Sequence, residues 1–249
     1  MNKENLNPLK VSITGIDGAG KSTVTGIVVT TLGQDNRVAR ISRPAYSIVE
    51  GYKQNHYQRL LNVVDSLHEI ADRTCNKRCV LCANVLNVLL QGRIIEPGLI
   101  RRIKPDIVIG SRDYLIDPAV YAIFYSPLLA KKNMDDRITH IQRMTGIYFR
   151  DIIFFLTVPP DEAVSRIEKR IALERANSTK PERKKWRHMH EQTHHLSRLQ
   201  HQYDEALNVV SKRSNVQIYE LNTSNIMPEE VASYVSTTIK DFLAKKITI

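Results

Sequence analysis

The chain has 249 residues, 42% hydrophobic and 25% charged, a composition that is typical of a globular protein and excludes a disordered one. Its polar N-terminus lacks an apolar signal region and its longest apolar runs are too short to cross a bilayer, so we expect a cytoplasmic protein with no membrane partner. The formal net charge of +10 indicates an attraction for anions, which nucleotides and nucleic acids both satisfy.

Apolar strands and helical segments alternate along the chain. Short apolar runs predict strands over residues 9–14, 37–42, 106–111, 151–158 and 216–221. Helical spacing predicts helices over residues 22–32, 118–129, 161–173, 184–210 and 228–243, and two more within 60–90. Alternation of this kind indicates parallel pairing with right-handed crossovers, and continuous apolar strands fit a sheet covered on both faces. We therefore expect one three-layer α/β domain over residues 1–249, with a five-stranded parallel sheet and helices on both faces.

A basic stretch over residues 174–190 interrupts this pattern, because Asn177, Ser178 and Pro181 disfavour a helix there. Lysine and arginine are concentrated between residues 166 and 187 with few acidic residues to balance them. One interpretation is a solvated basic face, and the other is a lid that closes over phosphate groups. Charge alone does not separate them.

The strongest local signal follows the first predicted strand. A glycine, four residues and then Gly-Lys-Ser form the Walker A pattern. Glycines allow a tight turn whose N–H groups face phosphate oxygens, and the start of the next helix favours the same anion. Lys21 is placed to reach the β- and γ-phosphates of ATP, and the Ser22 hydroxyl to bind Mg²⁺. We therefore predict an ATP site formed by Gly15, Asp17, Gly18, Ala19, Gly20, Lys21, Ser22 and Thr23.

The string GIDGAGKST over residues 15–23 resembles the phosphate loop of the thymidylate kinase family, and later segments match that family in order. Ser42-Arg43-Pro44 resembles a turn whose arginine holds the acceptor's phosphate, and Ser111-Arg112-Asp113-Tyr114 resembles one whose arginine also handles phosphate. Residues 158–170 resemble the stretch that leads into an arginine-bearing lid, and residues 222–231 resemble the adenine-side turn and last helix. The matches cover most of the chain and imply a P-loop kinase fold.

The resemblance also implies roles for single residues. Lys21, Arg43, Arg112 and Arg170 are the predicted catalytic residues, because guanidinium groups remain charged and bind two phosphate oxygens at once. The predicted acceptor-binding residues are Asp17, Arg43, Arg112 and Tyr121, of which Asp17 matches a family residue that reaches the acceptor's sugar or its phosphate-binding arginine. Asn222 and Thr223 complete the predicted ATP site.

The chain departs from the family pattern at several positions. Arg43 directly precedes Pro44 without the family's intervening glutamate, and Ser111 stands where the family has aspartate. Asp113 is therefore predicted to supply the missing carboxylate and, with Ser22, to hold Mg²⁺. Ala122 follows the matching tyrosine in place of glutamine, which predicts that dTMP is accepted with weak discrimination against dUMP or dCMP.

Two patterns point to other chemistry. Cys75, Cys79 and Cys82 have the spacing of an iron–sulfur site, but that spacing is also one face of a helix, and we favour core packing. An odd number of cysteines argues against a disulfide framework. His190 and His194 fit a zinc-protease pattern in a segment that is locally rich in histidine, and the longer form of that pattern is absent.

The leading hypothesis is an ATP- and Mg²⁺-dependent enzyme that phosphorylates a deoxynucleoside monophosphate, dTMP to dTDP, with nucleotides as its partners. A kinase of nucleosides or other small molecules on the same scaffold stays open, with Asp113 or Asp17 as the base that a hydroxyl acceptor requires. A non-catalytic, ATP-dependent nucleic-acid-binding module is the third hypothesis, although we do not favour nucleic acid as a partner. A homodimer is compatible with the sequence.

Overall fold

The computed structural model describes residues 7–41, 93, 96–176 and 192–248. Five strands form a single parallel sheet in the order β2-β3-β1-β4-β5. The strands are β1 (Leu9–Gly15), β2 (Val38–Ile41), β3 (Ile107–Gly110), β4 (Ile152–Thr157) and β5 (Gln217–Asn222). All five predicted strands are confirmed, because each apolar run lies in or beside the buried centre of the sheet.

Helices connect the strands. They are α1 (Lys21–Leu32), α2 (Glu96–Ile103), α3 (Ile116–Val120), α4 (Ala122–Tyr125), α5 (Pro127–Ala130), α6 (Met134–Thr145), α7 (Pro160–Ala176), α8 (Thr193–Arg213) and α9 (Pro228–Thr248). The helix predicted over residues 118–129 is instead divided among three short helices, since Ser126 leaves helical geometry and Pro127 starts a new helix. Helices α2 and α6 were not predicted from the sequence. Helix α6 is recognisable in retrospect from Asn133 and Gly146, which cap its two ends.

The two faces of the central strand β1 differ in chemistry. Its residues alternate, so that Leu9, Val11 and Ile13 face one side of the sheet while Lys10, Ser12 and Thr14 face the other. Helices α1 and α9 pack together, and α8 packs against α3, α6 and α7. The hydroxyls of Ser12 and Thr14 are buried and bond to aspartates beside α3, so the face that α3 and α8 cover has a polar centre.

Several predictions concern residues outside the described ranges: the helices within 60–90, Arg43, the three cysteines, His190 and most of the basic stretch. Within the described ranges, no helix is both long and apolar enough to cross a membrane. The same residues contain no group of three or more metal-binding His, Cys, Asp or Glu side chains.

Candidate active site

The phosphate loop joins the end of β1 to the start of α1 at the carboxyl edge of the sheet. Its backbone depends on glycine at two positions of close approach. Gly15 has a φ of 144°, and a Cβ on it would clash with the carbonyl oxygen of Leu156 in β4. Gly18 has a φ of 88°, and a Cβ there would lie 2.6 Å from the carbonyl oxygen of Ala163 in α7. The loop is therefore held tightly against β4 and α7.

Lys21 folds back over this loop. Its Nζ donates to the carbonyl oxygens of Gly15 at 2.8 Å and Ile16 at 2.7 Å, and it lies 3.7 Å from an Asp17 carboxylate oxygen. Burial lowers the pKa of the Lys21 ammonium, which the Asp17 charge offsets only in part. Arg170 in α7 also lowers the pKa of Lys21, so this predicted catalytic arginine lies within electrostatic reach of the loop.

Asp17 connects the phosphate loop to the end of the neighbouring strand β3. Its carboxylate accepts from Arg112 Nη2 at 3.3 Å and from the Tyr121 hydroxyl at 3.0 Å. The guanidinium of Arg112 also lies over the Tyr121 ring, 5.7 Å from its centroid. The Arg112 side chain remains 44% exposed, which leaves the guanidinium accessible to a ligand. The structure thus brings together Lys21, Asp17, Arg112 and Tyr121, four residues singled out by the sequence analysis.

Asp117 lies beneath Arg112 and was missed by the sequence analysis. It is 5% exposed, accepts from the Thr14 hydroxyl at 2.5 Å, and has Oδ2 3.7 Å from Arg112 Nη1. Burial raises the pKa of Asp117 to about 6 although Arg112 and the Thr14 hydrogen bond lower it. The only sequence signal was its position, five residues after Arg112 and directly before the helix predicted over residues 118–129, which does not reveal that the chain folds back beneath the guanidinium.

Asp113, the predicted Mg²⁺ ligand, has both carboxylate oxygens engaged inside the protein. Its Oδ1 accepts from the backbone N–H groups of Leu115 and Ile116 at 2.9 and 2.8 Å, which caps the start of α3. Its Oδ2 accepts from the Ser12 hydroxyl at 2.9 Å, and the residue is 3% exposed. This geometry argues against Asp113 as a metal ligand or catalytic base, because the carboxylate is buried and three hydrogen bonds from the protein occupy most of its acceptor positions.

The turn after β5 is attached to the phosphate loop by Arg166, a second residue that the sequence analysis did not select. Arg166 of α7 donates to the Thr223 carbonyl oxygen at 2.7 Å and the Thr223 hydroxyl at 3.2 Å, and its Nη1 lies 3.4 Å from the Gly18 carbonyl oxygen. Glu162 holds the same guanidinium at 2.7 Å. Asn222 closes the turn, since its side-chain oxygen accepts from the Ser224 N–H at 2.9 Å. Thr223, a predicted ATP-binding residue, is buried, and its hydroxyl and carbonyl groups bond within the protein.

The residues of this loop fit ATP with Mg²⁺. Helix α1 begins at Lys21, and the first N–H groups of any helix lack partners within it and favour an anion. Ser22 is exposed in that first turn, where its hydroxyl can serve a cation that takes its other ligands from phosphate oxygens and water. The carboxylates of Asp17 and Asp113 both have protein partners. Ser22 is accordingly the described side chain that best fits a Mg²⁺ ligand.

Comparison with protein-family models and with curated proteins gives no match. Among solved structures, the chain is similar to a deoxyadenosine kinase from M. mycoides, solved with the products dCMP and a flexible dCDP bound. The two share 17% sequence identity over 94% of this chain and 100% of that chain, with a TM-score of 0.54. At this identity the similarity shows the fold, which is the three-layer α/β fold of P-loop kinases. The narrower resemblance to thymidylate kinases stays a prediction.

Proposed function

We propose that this protein is an ATP- and Mg²⁺-dependent nucleoside monophosphate kinase whose acceptor is a deoxynucleotide, dTMP, converted to dTDP. One observation carries the proposal. Lys21 of the phosphate loop and Arg112 of the neighbouring strand end converge on Asp17 at the carboxyl edge of the sheet. Open α/β sheets bind their ligands at this edge, and two cations beside a Walker A loop suit the transfer of a charged phosphoryl group.

In the reaction, the bond between the γ-phosphorus and the oxygen that bridges it to the β-phosphate breaks. A new bond forms from an acceptor phosphate oxygen, and the products are ADP and the nucleoside diphosphate. Lys21 would exchange the carbonyl oxygens of Gly15 and Ile16 for oxygens of the β- and γ-phosphates. Arg112 would stabilise negative charge on the transferring group, since its guanidinium is half-exposed and oriented by Asp17. Bound Mg²⁺ neutralises phosphate charge in such reactions, and Ser22 would help hold it.

The acceptor would lie on the Arg112 side of the loop. Tyr121 faces Asp17 there, and we propose that it borders the acceptor pocket. Burial raises the pKa of the Tyr121 phenol well above its usual value, so the phenol stays a hydrogen-bond donor at neutral pH. Arg43 and Arg170 are proposed as further contacts to the acceptor's phosphate and the transferring group. A phosphate acceptor is already ionised and needs no general base.

A nucleoside acceptor is the second candidate, because the solved structure with a similar fold is a deoxyadenosine kinase. A hydroxyl acceptor needs a carboxylate that removes its proton. Asp17 is the better placed of the two aspartates considered from the sequence, since its side chain lies in the phosphate loop and is 13% exposed, whereas Asp113 is 3% exposed. The two candidates differ in a measurable product, a diphosphate from a monophosphate acceptor or a monophosphate from a nucleoside acceptor.

The test is a panel of deoxynucleosides and deoxynucleoside monophosphates with ATP and Mg²⁺, with ADP formation measured and the second product identified by anion-exchange chromatography. We expect turnover with dTMP, and weak discrimination against dUMP and dCMP. Lys21→Ala should lower turnover by about 100-fold or more while leaving the circular dichroism spectrum unchanged. Lys131→Ala, at an exposed lysine distant in sequence from the loop, is the control. Phosphorylation of nucleosides alone would replace the first candidate by the second, and near-normal turnover of Lys21→Ala would refute both.

A further inference from the structure

Arg112 is held by two carboxylates that come from different parts of the chain. Asp17 in the phosphate loop lies 3.3 Å from Nη2, and Asp117 in α3 has Oδ2 3.7 Å from Nη1. We propose that Asp117 is a positioning residue for the proposed phosphoryl transfer, fixing the guanidinium of Arg112 from below while Asp17 fixes it from the loop. The effect on catalysis rests on the proposed function. The coupling between Asp117 and Arg112 rests on the geometry alone.

Asp117 is itself held rigidly. Its Oδ1 accepts from the Thr14 hydroxyl at 2.5 Å and lies 3.4 Å from the backbone nitrogen of Asp113. Its Oδ2 is fully buried and has no hydrogen-bond partner among the described residues, so the nearby Arg112 guanidinium is its main electrostatic partner. A carboxylate with one oxygen fixed to the central strand and the other directed at an arginine can set the orientation of that arginine.

Because Asp117 is buried, it can hold Arg112 in position but is not accessible to a substrate. At 5% exposure it is far less accessible than the half-exposed Arg112 side chain above it. An arginine with free rotamers would lose conformational entropy each time it engaged a phosphate group. Two fixed carboxylates hold the guanidinium in one orientation before the substrate binds, so little entropy is lost on binding. The gain is largest for the transition state, because its stabilisation depends most strongly on orientation.

The charge on Asp117 responds to groups from every element around it. Thr14 of β1 donates to it, and Lys21 of α1 and Arg112 favour its ionised form. Asp113 opposes ionisation of Asp117, and the Tyr203 hydroxyl of α8 lies 3.4 Å from the Thr14 hydroxyl on the same side. Burial outweighs the favourable contacts and raises the pKa of Asp117 to about 6. A neutral Asp117 would no longer pair with Arg112, so the positioning should weaken as the pH falls below 6.

The kinetic test compares Asp117→Asn with the wild-type enzyme between pH 5 and pH 8. At pH 8 we expect kcat to fall about tenfold or more while the KM for ATP changes less than twofold, because a misplaced transition-state contact acts on kcat. The ratio of wild-type to variant kcat should fall toward one at pH 5, where the wild-type Asp117 is mostly neutral and so resembles the asparagine of the variant. Phosphate groups of the substrates also titrate near pH 6, but they do so equally for both enzymes and cancel in the ratio. A kcat of Asp117→Asn within twofold of wild type at pH 8 would overturn the proposal.

Two controls test whether Asp117 acts through Arg112. Asp117→Asn should have no further effect in an Arg112→Ala background, and an undiminished effect there would show that Asp117 does not act through Arg112. Asp106→Asn removes an arginine-paired aspartate directly before β3, where Arg37 Nη2 lies 2.8 Å from its carboxylate. It should leave kcat within twofold of wild type at every pH.

A measurement without turnover keeps the proposal falsifiable if the asparagine variant does not fold. The carboxyl pKa of Asp117, followed by ¹³C NMR, should rise by about one unit or more in Arg112→Ala. An unchanged pKa would overturn the coupling whether or not the enzyme is active. A raised pKa in a protein that phosphorylates no nucleotide or nucleoside would support the coupling and refute the proposed function.

Discussion

At the scale of single residues, the site contains a carboxylate that weakens the fold it belongs to. Asp117 is almost fully buried, and its ordinary pKa of 3.8 is raised to about 6 in the folded protein. Folding therefore favours the neutral form, and the ionised form present at neutral pH costs stability. Buried charges of this kind are common where a site is oriented for function rather than for stability.

We predict that Asp117→Asn is more stable than the wild type at pH 8 by about 1–3 kcal/mol. A pKa rise from 3.8 to about 6 is worth about 3 kcal/mol, part of which the variant loses with the Arg112 contact. For a raised acid pKa, the wild type loses stability as the pH rises from about 4 to about 6, and the full cost remains above that range. Urea denaturation at pH 4.5 and pH 8 measures this. A variant that is less stable at both pH values would show that Asp117 contributes to the fold through its hydrogen bonds instead.

At the scale of elements, the phosphate loop between β1 and α1 is packed closely against neighbouring elements at Gly15 and Gly18. Gly18 lies against the backbone of Ala163, and Arg166 joins the same helix to the turn after β5. Gly26 in α1 is different, since no atom outside its own helix neighbourhood lies within 4 Å of the position of an added Cβ. Glycine is thus required at one of these positions and merely tolerated at the other.

The glycines form a matched pair for mutagenesis. Gly18→Ala should destabilise the protein by about 2 kcal/mol or more and weaken ATP binding, because alanine disfavours a φ of 88° and its Cβ would contact Ala163. Gly26→Ala should stabilise the protein by about 0.5–1 kcal/mol, because alanine loses less entropy in a helix. Urea denaturation and calorimetric titration with ATP and Mg²⁺ measure both effects. Equal effects on stability would contradict the close contact between the phosphate loop and α7.

At the scale of the whole molecule, the polar face of β1 joins the site to a second buried cluster near the strand's opposite end. Lys10 and Arg150 both contact Glu96 of α2, at 3.0 and 2.7 Å. Arg150 also lies 5.9 Å from the Tyr114 ring centroid. Burial lowers the pKa of the Arg150 guanidinium, but Glu96 and, less strongly, Asp113 outweigh burial, and the net pKa is raised. Burial raises the pKa of Glu96, but the two cations outweigh it and the net pKa is lowered. The cluster fastens α2 to the centre of the sheet.

Removing the charge of Glu96 should affect stability far more than activity. Glu96→Gln leaves the Arg150 guanidinium buried without its counter-charge, and we expect a loss on the order of 3–5 kcal/mol at pH 7. Because a lowered acid pKa contributes stability that disappears as the pH falls through it, the difference from wild type should shrink below about pH 4. Asp135→Asn at an exposed pair with Arg213 is the control, with an expected loss of at most about 1 kcal/mol. Thermal melts measure the stability of each variant, and kcat of the folded fraction measures its activity. A similar loss of stability in the two variants would contradict the buried cluster.

The sequence by itself determined the sheet and the phosphate loop. All five strands were predicted, and the runs of β1, β3 and β4 are apolar because a strand covered on both faces needs apolar side chains along most of its length. Strand β5 at the edge of the sheet is only partly buried, and its run is correspondingly more polar. The Walker A spacing located Lys21 and Ser22 for a similar reason, since a turn this tight requires glycine at particular positions. Arg112 was selected from the resemblance of residues 111–114 to a phosphate-handling turn of thymidylate kinases, and its place after a predicted strand agreed with that, since the loops after parallel strands meet at one edge of the sheet.

Only the tertiary structure decided which of the aspartates after β3 faces which partner. Asp113 and Asp117 lie four residues apart, and the sequence favoured Asp113 because it is adjacent to Arg112. In the fold, Asp113 caps α3 and bonds to Ser12, while Asp117 reaches Thr14 and Arg112. The contacts with Ser12 and Thr14 join residues 101 and 103 positions apart, so they depend on how α3 packs on β1. A local sequence pattern indicates backbone preference and burial. Which buried charges pair with one another depends on how elements that are far apart in the sequence pack together.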